Sequence, residues 1–348
     1  MRFGIIPVTA LILSLATTAF GQRGLNVGDD APGLDIEEWI KGEETSIERG
    51  RVYIIEFWAT WCAPCHTTIP ILTDLLSEYG DRGLTVIGIS SEEVDVVRPW
   101  VRSQGSKMDY IVAVDRRRST SNAWLQAAGL AGIPAAFIVD RNGKIAFIGN
   151  PHPKADGPRM WEILAKVLAG RFDPQLERDA ESRLKAARGA RKTRTWRMAF
   201  KHYDDVIEMS HTVFAEIALE RFEMMLVDME DHEAAYKYAR ERLMGEFFAD
   251  DPGALAMLAE KIATDSKLDK EDRDLDVALE AAQTAMNMAG QREPDAYATL
   301  ALVRYHRGEL DQAINLQKKA YFIAKPKRKP QYKRVLEAYQ GAAGRLGG

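Results

Sequence analysis

The periodicity of the apolar residues changes once along the chain, near residue 170, and this break limits the fold more than any other feature. Before it, short runs rich in branched and aromatic residues alternate with helix-like spacing. Residues 51–58, 84–89 and 111–114 read as buried strands, while 70–79 and 94–104 carry apolar residues at helical intervals. Residues 135–139, the turn-forming cluster Asp140-Arg141-Asn142-Gly143-Lys144 and residues 145–148 read as a hairpin, and 160–168 as a closing helix. Strand-helix-strand units ending in a hairpin predict an α/β domain with a mixed central sheet flanked by helices. After residue 174 the strand signal stops and nearly every segment has helical spacing, so the second unit is all-α. A chain of 348 residues is longer than one core usually serves, in keeping with two units.

The helical unit contains a readable repeat. Leu275-Asp276-Val277-Ala278-Leu279 recurs 35 residues later as Leu310-Asp311-Gln312-Ala313-Ile314, with Ala285 recurring in register as Ala320. Upstream, residues 251–259 resemble 293–301 at an offset of 42, which places seven extra residues of the earlier copy in the turn at 265–274. Small alanines at these positions let antiparallel helices approach closely, and a period of about 34 is that of the tetratricopeptide repeat. Tyr297, Leu300, Ala301, Gly308, Ala313 and Ala320 resemble that pattern, with Arg304 in place of an aromatic residue. Residues 211–227 and 232–243 read as an earlier, poorly matching pair. Such units bury their faces only against neighbours, so a solenoid-like stack is expected. The predicted division is a signal peptide at 1–21, an α/β domain at 22–170, a charged helical connector at 171–210 and a repeat domain at 211–348. Two basic runs, one from Arg183 to Lys201 and one from Lys325 to Arg334, read as solvated helix faces.

Arg2, an uncharged apolar stretch and small residues around Ala19-Phe20-Gly21 have the order of a secretory signal peptide, with cleavage expected near Gly21. An uncleaved membrane anchor is the alternative reading. The expected location is extracytoplasmic, periplasmic or secreted, where disulfides persist. A formal net charge of -4 gives no sign of nucleic-acid binding. The chain has two cysteines, Cys62 and Cys65. So short a loop would add little as a staple, because the entropy removed from the unfolded chain grows with loop length. Chemistry is the better explanation. The pair follows a predicted buried strand and opens a predicted helix, whose free N-H groups and positive dipole end favour a thiolate at Cys62. Cys62 is then the exposed attacking sulfur. Cys65, one turn on and further inside, resolves the mixed disulfide by closing a redox-active Cys62-Cys65 bond.

Phe57-Trp58-Ala59-Thr60-Trp61-Cys62-Ala63-Pro64-Cys65 resembles the active-site stretch of thioredoxin-fold proteins, and closely that of the exported TlpA/ResA-like thiol-disulfide oxidoreductases. Gly28-Asp29-Asp30-Ala31-Pro32, Pro70 and Gly132-Ile133-Pro134 extend the resemblance over residues 26–170. It implies a thioredoxin fold, a cis Pro134 facing the cysteine pair, a free Ile133 backbone that pairs with an extended substrate, and Trp61 as a shield of the disulfide. It also implies that Glu56 is a buried acid exchanging a proton with Cys65, a role for which burial would raise its pKa. The family's acid three residues after the second cysteine is replaced by Thr68, which leaves Glu56 to take over that role or the active-site potential to differ. The catalytic candidates are therefore Cys62, Cys65 and Glu56, and the substrate-binding candidates Trp61, Ile133 and Pro134.

By resemblance the chain reduces disulfides of exported proteins and is recharged by a membrane-bound thiol donor, while its helical repeats bind a peptide or protein partner. No cofactor is called for. A competing reading takes Cys62-Ala63-Pro64-Cys65-His66 as a c-type haem attachment signature. Another makes the molecule a non-catalytic adaptor on a thioredoxin scaffold. Zinc would need about four ligands, and only Cys62, Cys65 and His66 cluster in the sequence.

Overall fold

The computed structural model describes residues 24–346; the segment read as a signal peptide lies outside them. The first unit is a six-stranded mixed sheet of order β1-β4-β3-β2-β5-β6. Its strands are β1 (Ile36–Lys41), β2 (Val52–Trp58), β3 (Leu84–Ser90), β4 (Ile111–Asp115), β5 (Ala135–Val139) and β6 (Ile145–Gly149). β2, β3 and β4 run parallel, joined through α1 (Cys65–Tyr79) and α2 (Val94–Gln104), whereas β1, β5 and β6 add antiparallel partners. A helical stretch made of α3 (Ser119–Ser121) and a wider turn at Asn122–Gln126 leads toward β5, and α4 (Gly157–Leu168) follows β6. This is the thioredoxin fold expected from the sequence. The edge strand β1 was not foreseen: its IEEWIK sequence mixes charge with apolar residues and it is only partly buried, as suits an edge.

Side chains alternate across the sheet, and the two faces form two separate cores. Val52, Ile54 and Trp58 of β2 pack with Leu84, Val86, Val112 and Ile138 beneath α1, α2 and α4. Tyr53, Ile55 and Phe57 point the other way, against Ile87, Ile89, Phe137 and Trp124. All seven residues of β2 are buried, as a central strand covered on both faces must be. By parity Glu56 belongs to the face under α1.

The second unit is helical: α5 (Pro174–Lys192), α6 (Trp196–Ile207), α7 (Ala215–Glu223), α8 (His232–Tyr238), α9 (Pro252–Thr264), α10 (Leu275–Ala289), α11 (Pro294–His306), α12 (Leu310–Ile323) and α13 (Lys329–Leu346). Several starts are set by an aspartate that accepts backbone N-H groups of the first turn: Asp173 for α5, Asp231 for α8, Asp251 for α9 and Asp274 for α10. α9 packs on α10 and α11 on α12, with α13 closing on α12. Ala259 and Ala263 face Ala278, Ala281, Ala282 and Ala285 in one core, and these small side chains permit the close approach. The extra residues of the earlier copy lie where the sequence places them. Ten residues, 265–274, join α9 to α10, against three between α11 and α12.

Neither basic run is only a solvated face. Arg188 pairs with Glu220, and Arg191 with Glu223 and Asp228, so these cations fix α5 onto the next helices. In the second run Lys325 donates to the Ser77 carbonyl at 3.2 Å and pairs with Asp81 at 2.6 Å, while Lys327 meets Asp74 at 2.9 Å. Arg328 bridges Glu78 and Asp295. The turn between α12 and α13 is thereby docked on the C-terminal half of α1. At the other junction Arg171 donates through Nε and Nη2 to Asp251 at 2.9 and 2.5 Å. Both runs contain cations that carboxylates distant in sequence were waiting for, which a linear reading does not reveal.

Candidate active site

Strand β2 ends at the buried Trp58, and the following turn feeds directly into α1. The Cys62 N-H donates to the Ala59 carbonyl at 3.1 Å, and the Cys65 N-H donates to the Cys62 carbonyl at 3.0 Å, so the loop is wound before the helix begins. Glu92 fastens it from the side: its two carboxylate oxygens accept the Thr60 N-H and hydroxyl, each at 2.7 Å. Pro64 occupies the N-cap position and contributes no side-chain cap, leaving N-H groups of the first turn to other acceptors. One of them, that of Cys65, lies 3.3 Å from the Cys62 Sγ. Cys62 and Cys65 form a disulfide with Cα atoms 5.3 Å apart.

The expected exposed Cys62 is not found. Cys62 is 3 % and Cys65 0 % exposed, because both pack into the apolar cluster with Trp58, Ala59 and Ile69. The indole of Trp61 is 72 % exposed. It lines a cleft of about 750 Å³ whose wall also includes Ile133, Leu125, Leu130, Glu92 and Arg118. Ile133 packs at the margin of the cluster that holds both cysteines, and the Ile133-Pro134 peptide is cis.

Behind the pair lies Glu56, 0 % exposed in the middle of the sheet. Its carboxyl accepts the Thr68 hydroxyl on Oε1 at 2.9 Å and the Tyr110 hydroxyl on Oε2 at 2.8 Å. Burial dominates and raises its pKa to about 7, the two hydrogen bonds opposing only part of that rise. Burial and the neighbouring carboxylate push the Tyr110 phenol well above its ordinary value, so it remains a donor. Tyr110 can reach Glu56 because Gly88 is the register partner of Glu56 in β3. A Cβ on Gly88 would lie 2.9 Å from Tyr110 Cε2 and 3.1 Å from Trp58 Nε1. The glycine is the window through which the ring crosses the sheet face.

The Thr68 hydroxyl also lies 3.0 Å from the Cys65 carbonyl, which joins the carboxyl to the backbone of the second cysteine. Sequence reasoning noted Thr68 only as a departure, and missed Tyr110, Gly88 and Glu92. A glycine inside an otherwise apolar strand was the one signal available, since it marks close approach of another group. His66 stacks on Trp100 with ring centroids 5.2 Å apart and sets its Nε2 3.0 Å from the Thr60 carbonyl. The disulfide occupies both sulfurs that thioether attachment of haem would require, so the site's geometry favours redox chemistry of the pair. Among the described residues no group of three or more His, Cys, Asp or Glu side chains is placed to hold a metal.

Residues 27–148 match the model of the AhpC/TSA family. Over 157 residues the chain is 29 % identical to Protein FixW of Rhizobium leguminosarum, spanning 42 % of this chain and 68 % of that protein. Over 127 residues it is 26 % identical to the thiol-disulfide oxidoreductase ResA of Bacillus thuringiensis strain Al Hakam, spanning 36 % of this chain and 69 % of that one. Among solved structures, a thiol:disulfide interchange protein of the thioredoxin family from Chlorobium tepidum TLS matches at 26 % identity and a TM-score of 0.35, covering 40 % of this chain and 97 % of that one. Residues 27–148 thus form a thioredoxin-like domain that is similar to the AhpC/TSA family and to thiol-disulfide oxidoreductases, and they carry the Cys62-Cys65 disulfide.

Proposed function

We propose that the protein works outside the cytoplasm as a reductant of disulfides in exported proteins. The observation that carries this reading is the Cys62-Cys65 disulfide at the N-terminus of α1 with the buried carboxyl of Glu56 behind it. In the dithiol form Cys62 attacks as a thiolate, favoured by the first N-H groups of the helix. One substrate sulfur leaves as a thiolate and a mixed disulfide remains. Cys65 then gives its proton to Glu56, attacks the Cys62 sulfur and expels the second substrate sulfur. With a pKa of about 7, Glu56 is suited to take and return that proton near neutral pH. Trp61, Ile133 and Pro134 present the extended substrate at the rim of the cleft. The helical domain, read as tetratricopeptide-like, binds a peptide or protein partner. A membrane-bound thiol donor returns the pair to the dithiol form, and the N-terminal segment directs export and is removed near Gly21. Among the described residues no helix is long and apolar enough to cross a membrane.

The test is reduction of insulin by dithiothreitol in the presence of the full chain. Wild type accelerates it and Cys62→Ser abolishes the acceleration; equal rates would leave only the adaptor reading. The Cys62/Cys65 reduction potential fixes the direction of electron flow, and a potential far above that of the glutathione pool would overturn the reductant assignment. Cys65→Ser traps the mixed disulfide and identifies the substrate.

A further inference from the structure

The Thr68 hydroxyl has one proton and two acceptors, Glu56 Oε1 at 2.9 Å and the Cys65 carbonyl at 3.0 Å. It can serve one of them at a time. When Glu56 is ionised, Thr68 and Tyr110 both donate to the carboxylate and the Thr68 proton points away from Cys65. When Glu56 is protonated, the new O-H itself needs an acceptor in a site sealed from water. Tyr110 is a poor choice, because among the described residues its hydroxyl has no second partner to which its own proton could turn. Thr68 has such a partner. The carboxyl donates to Thr68 Oγ1, the Thr68 proton swings to the Cys65 carbonyl, and Tyr110 continues to donate to Oε2. Glu56, Thr68 and Tyr110 are each bonded in both states, a condition a buried network must meet.

We propose that Thr68 is a positioning residue whose hydroxyl reverses direction with each protonation of Glu56, coupling the carboxyl to the backbone of the resolving cysteine. This rests on the proposed role of Glu56. In the resolving step the Cys65 proton passes to the Glu56 carboxylate and the Cys65 sulfur bonds to Cys62. The bond between Cys62 and the substrate breaks, its electron pair leaving on the substrate thiolate. The added proton on Glu56 is accommodated by rotation of the Thr68 O-H alone, with no movement of the sheet. The groups facing Glu56 are few: Thr68 and Cys65 from α1, Tyr110 from the entry to β4, and the uncharged register partners Gly88 in β3 and Ala136 in β5. Tyr110 and the cysteine pair are the titratable ones, so the pH dependence of resolution is that of Glu56 and Cys65 together.

The experiment follows the rate of mixed-disulfide resolution from pH 5.5 to 9 in the full chain, for wild type, Thr68→Val, Thr68→Ser and Glu56→Gln. Thr68→Val removes a donor from the ionised carboxyl and an acceptor from the protonated one. Hydrogen bonds to charged groups are the stronger, so the midpoint rises by about one pH unit and the rate at neutral pH falls several-fold. Thr68→Ser keeps the hydroxyl and restores both. Thr68→Ala gives the same shift if the valine variant does not accumulate. A Thr68→Val profile that superimposes on wild type, or a serine variant that behaves like valine, overturns the proposal. Glu56→Gln separates the two claims. If it leaves the midpoint in place, the role of Glu56 fails and the Thr68 proposal with it. If it abolishes the midpoint while Thr68→Val leaves it unmoved, only the Thr68 proposal falls.

Discussion

Replacement of Glu56 by glutamine should abolish the pH dependence of stability that this buried carboxyl imposes. In the unfolded chain a glutamate titrates near 4.5, and in the folded protein Glu56 titrates at about 7. Between these values the folded state holds a proton that the unfolded state has released. Stability therefore falls as pH rises through this window, is highest below it and is level above it. The separation corresponds to about 3 kcal/mol, at 1.36 kcal/mol for each pH unit. The group is fully buried, so solvent does not screen the effect away. Glutamine has the same shape and no charge to desolvate, and its amide can donate toward Thr68 while its carbonyl accepts from Tyr110. At pH 8 the oxidised variant should be more stable than wild type by about 2–3 kcal/mol, which in urea moves the midpoint by about 1 M or more. At pH 4.5 the two should unfold together. The measurement is urea unfolding of the oxidised proteins followed by tryptophan fluorescence; six of the seven tryptophans precede residue 170, so the signal comes largely from the sheet domain. Parallel pH profiles for wild type and variant would refute the argument, because they would mean that Glu56 releases its proton in the folded state as readily as in the unfolded one.

Gly88→Ala should destabilise the sheet domain by about 2–4 kcal/mol, through overpacking against Tyr110 and Trp58 and through loss of the Tyr110 bond to Glu56; an unchanged urea midpoint would show that the window is not needed. Asp251→Ala removes both the N-cap of α9 and the partner of the buried Arg171, and a loss of about 2–3 kcal/mol is expected in thermal or chemical unfolding. Lys325→Glu, which breaks the pair with the exposed Asp81, should cost about 1 kcal/mol at low salt and less at high salt. A large, salt-independent loss would assign the docking to packing in place of charge.

The parts of the molecule that a linear reading recovered are those carried by local pattern. The buried strands and the hairpin announce themselves by composition, and the cysteine pair by its position between strand and helix. The seven-residue insertion could be placed because both copies of the repeat keep their alanines. What was missed depends on register. Glu56 is opposite Gly88 only once β2 and β3 are aligned, and Tyr110, which precedes its strand, carries no sign of the carboxyl it will meet. The burial of Cys62 follows from its packing with Trp58, Ala59 and Ile69, which spacing does not weigh. Arg117 and Arg118, both with left-handed backbone at φ 49° and 63°, form a turn beside the cleft that no composition rule suggests for arginine. Lys325 and its neighbours read as solvated because their carboxylate partners lie some 250 residues earlier.

That last contact changes what an isolated sheet domain would be. Asp74, Glu78 and Asp81 sit along the final turns of α1 and just beyond it, and α1 has no basic residue in its own last turn. Beyond the local Arg82, the cations that pair with these carboxylates come from the far end of the chain. Cleavage near residue 170 would leave a run of unneutralised carboxylates on the helix whose other end holds Cys65, nine residues or about 14 Å from Asp74 along the axis. Within a Debye length at low ionic strength, such charge disfavours a thiolate. The distant loop is in this sense a built-in counter-ion, and the redox pair of the whole protein is electrostatically a different object from the pair in its excised domain.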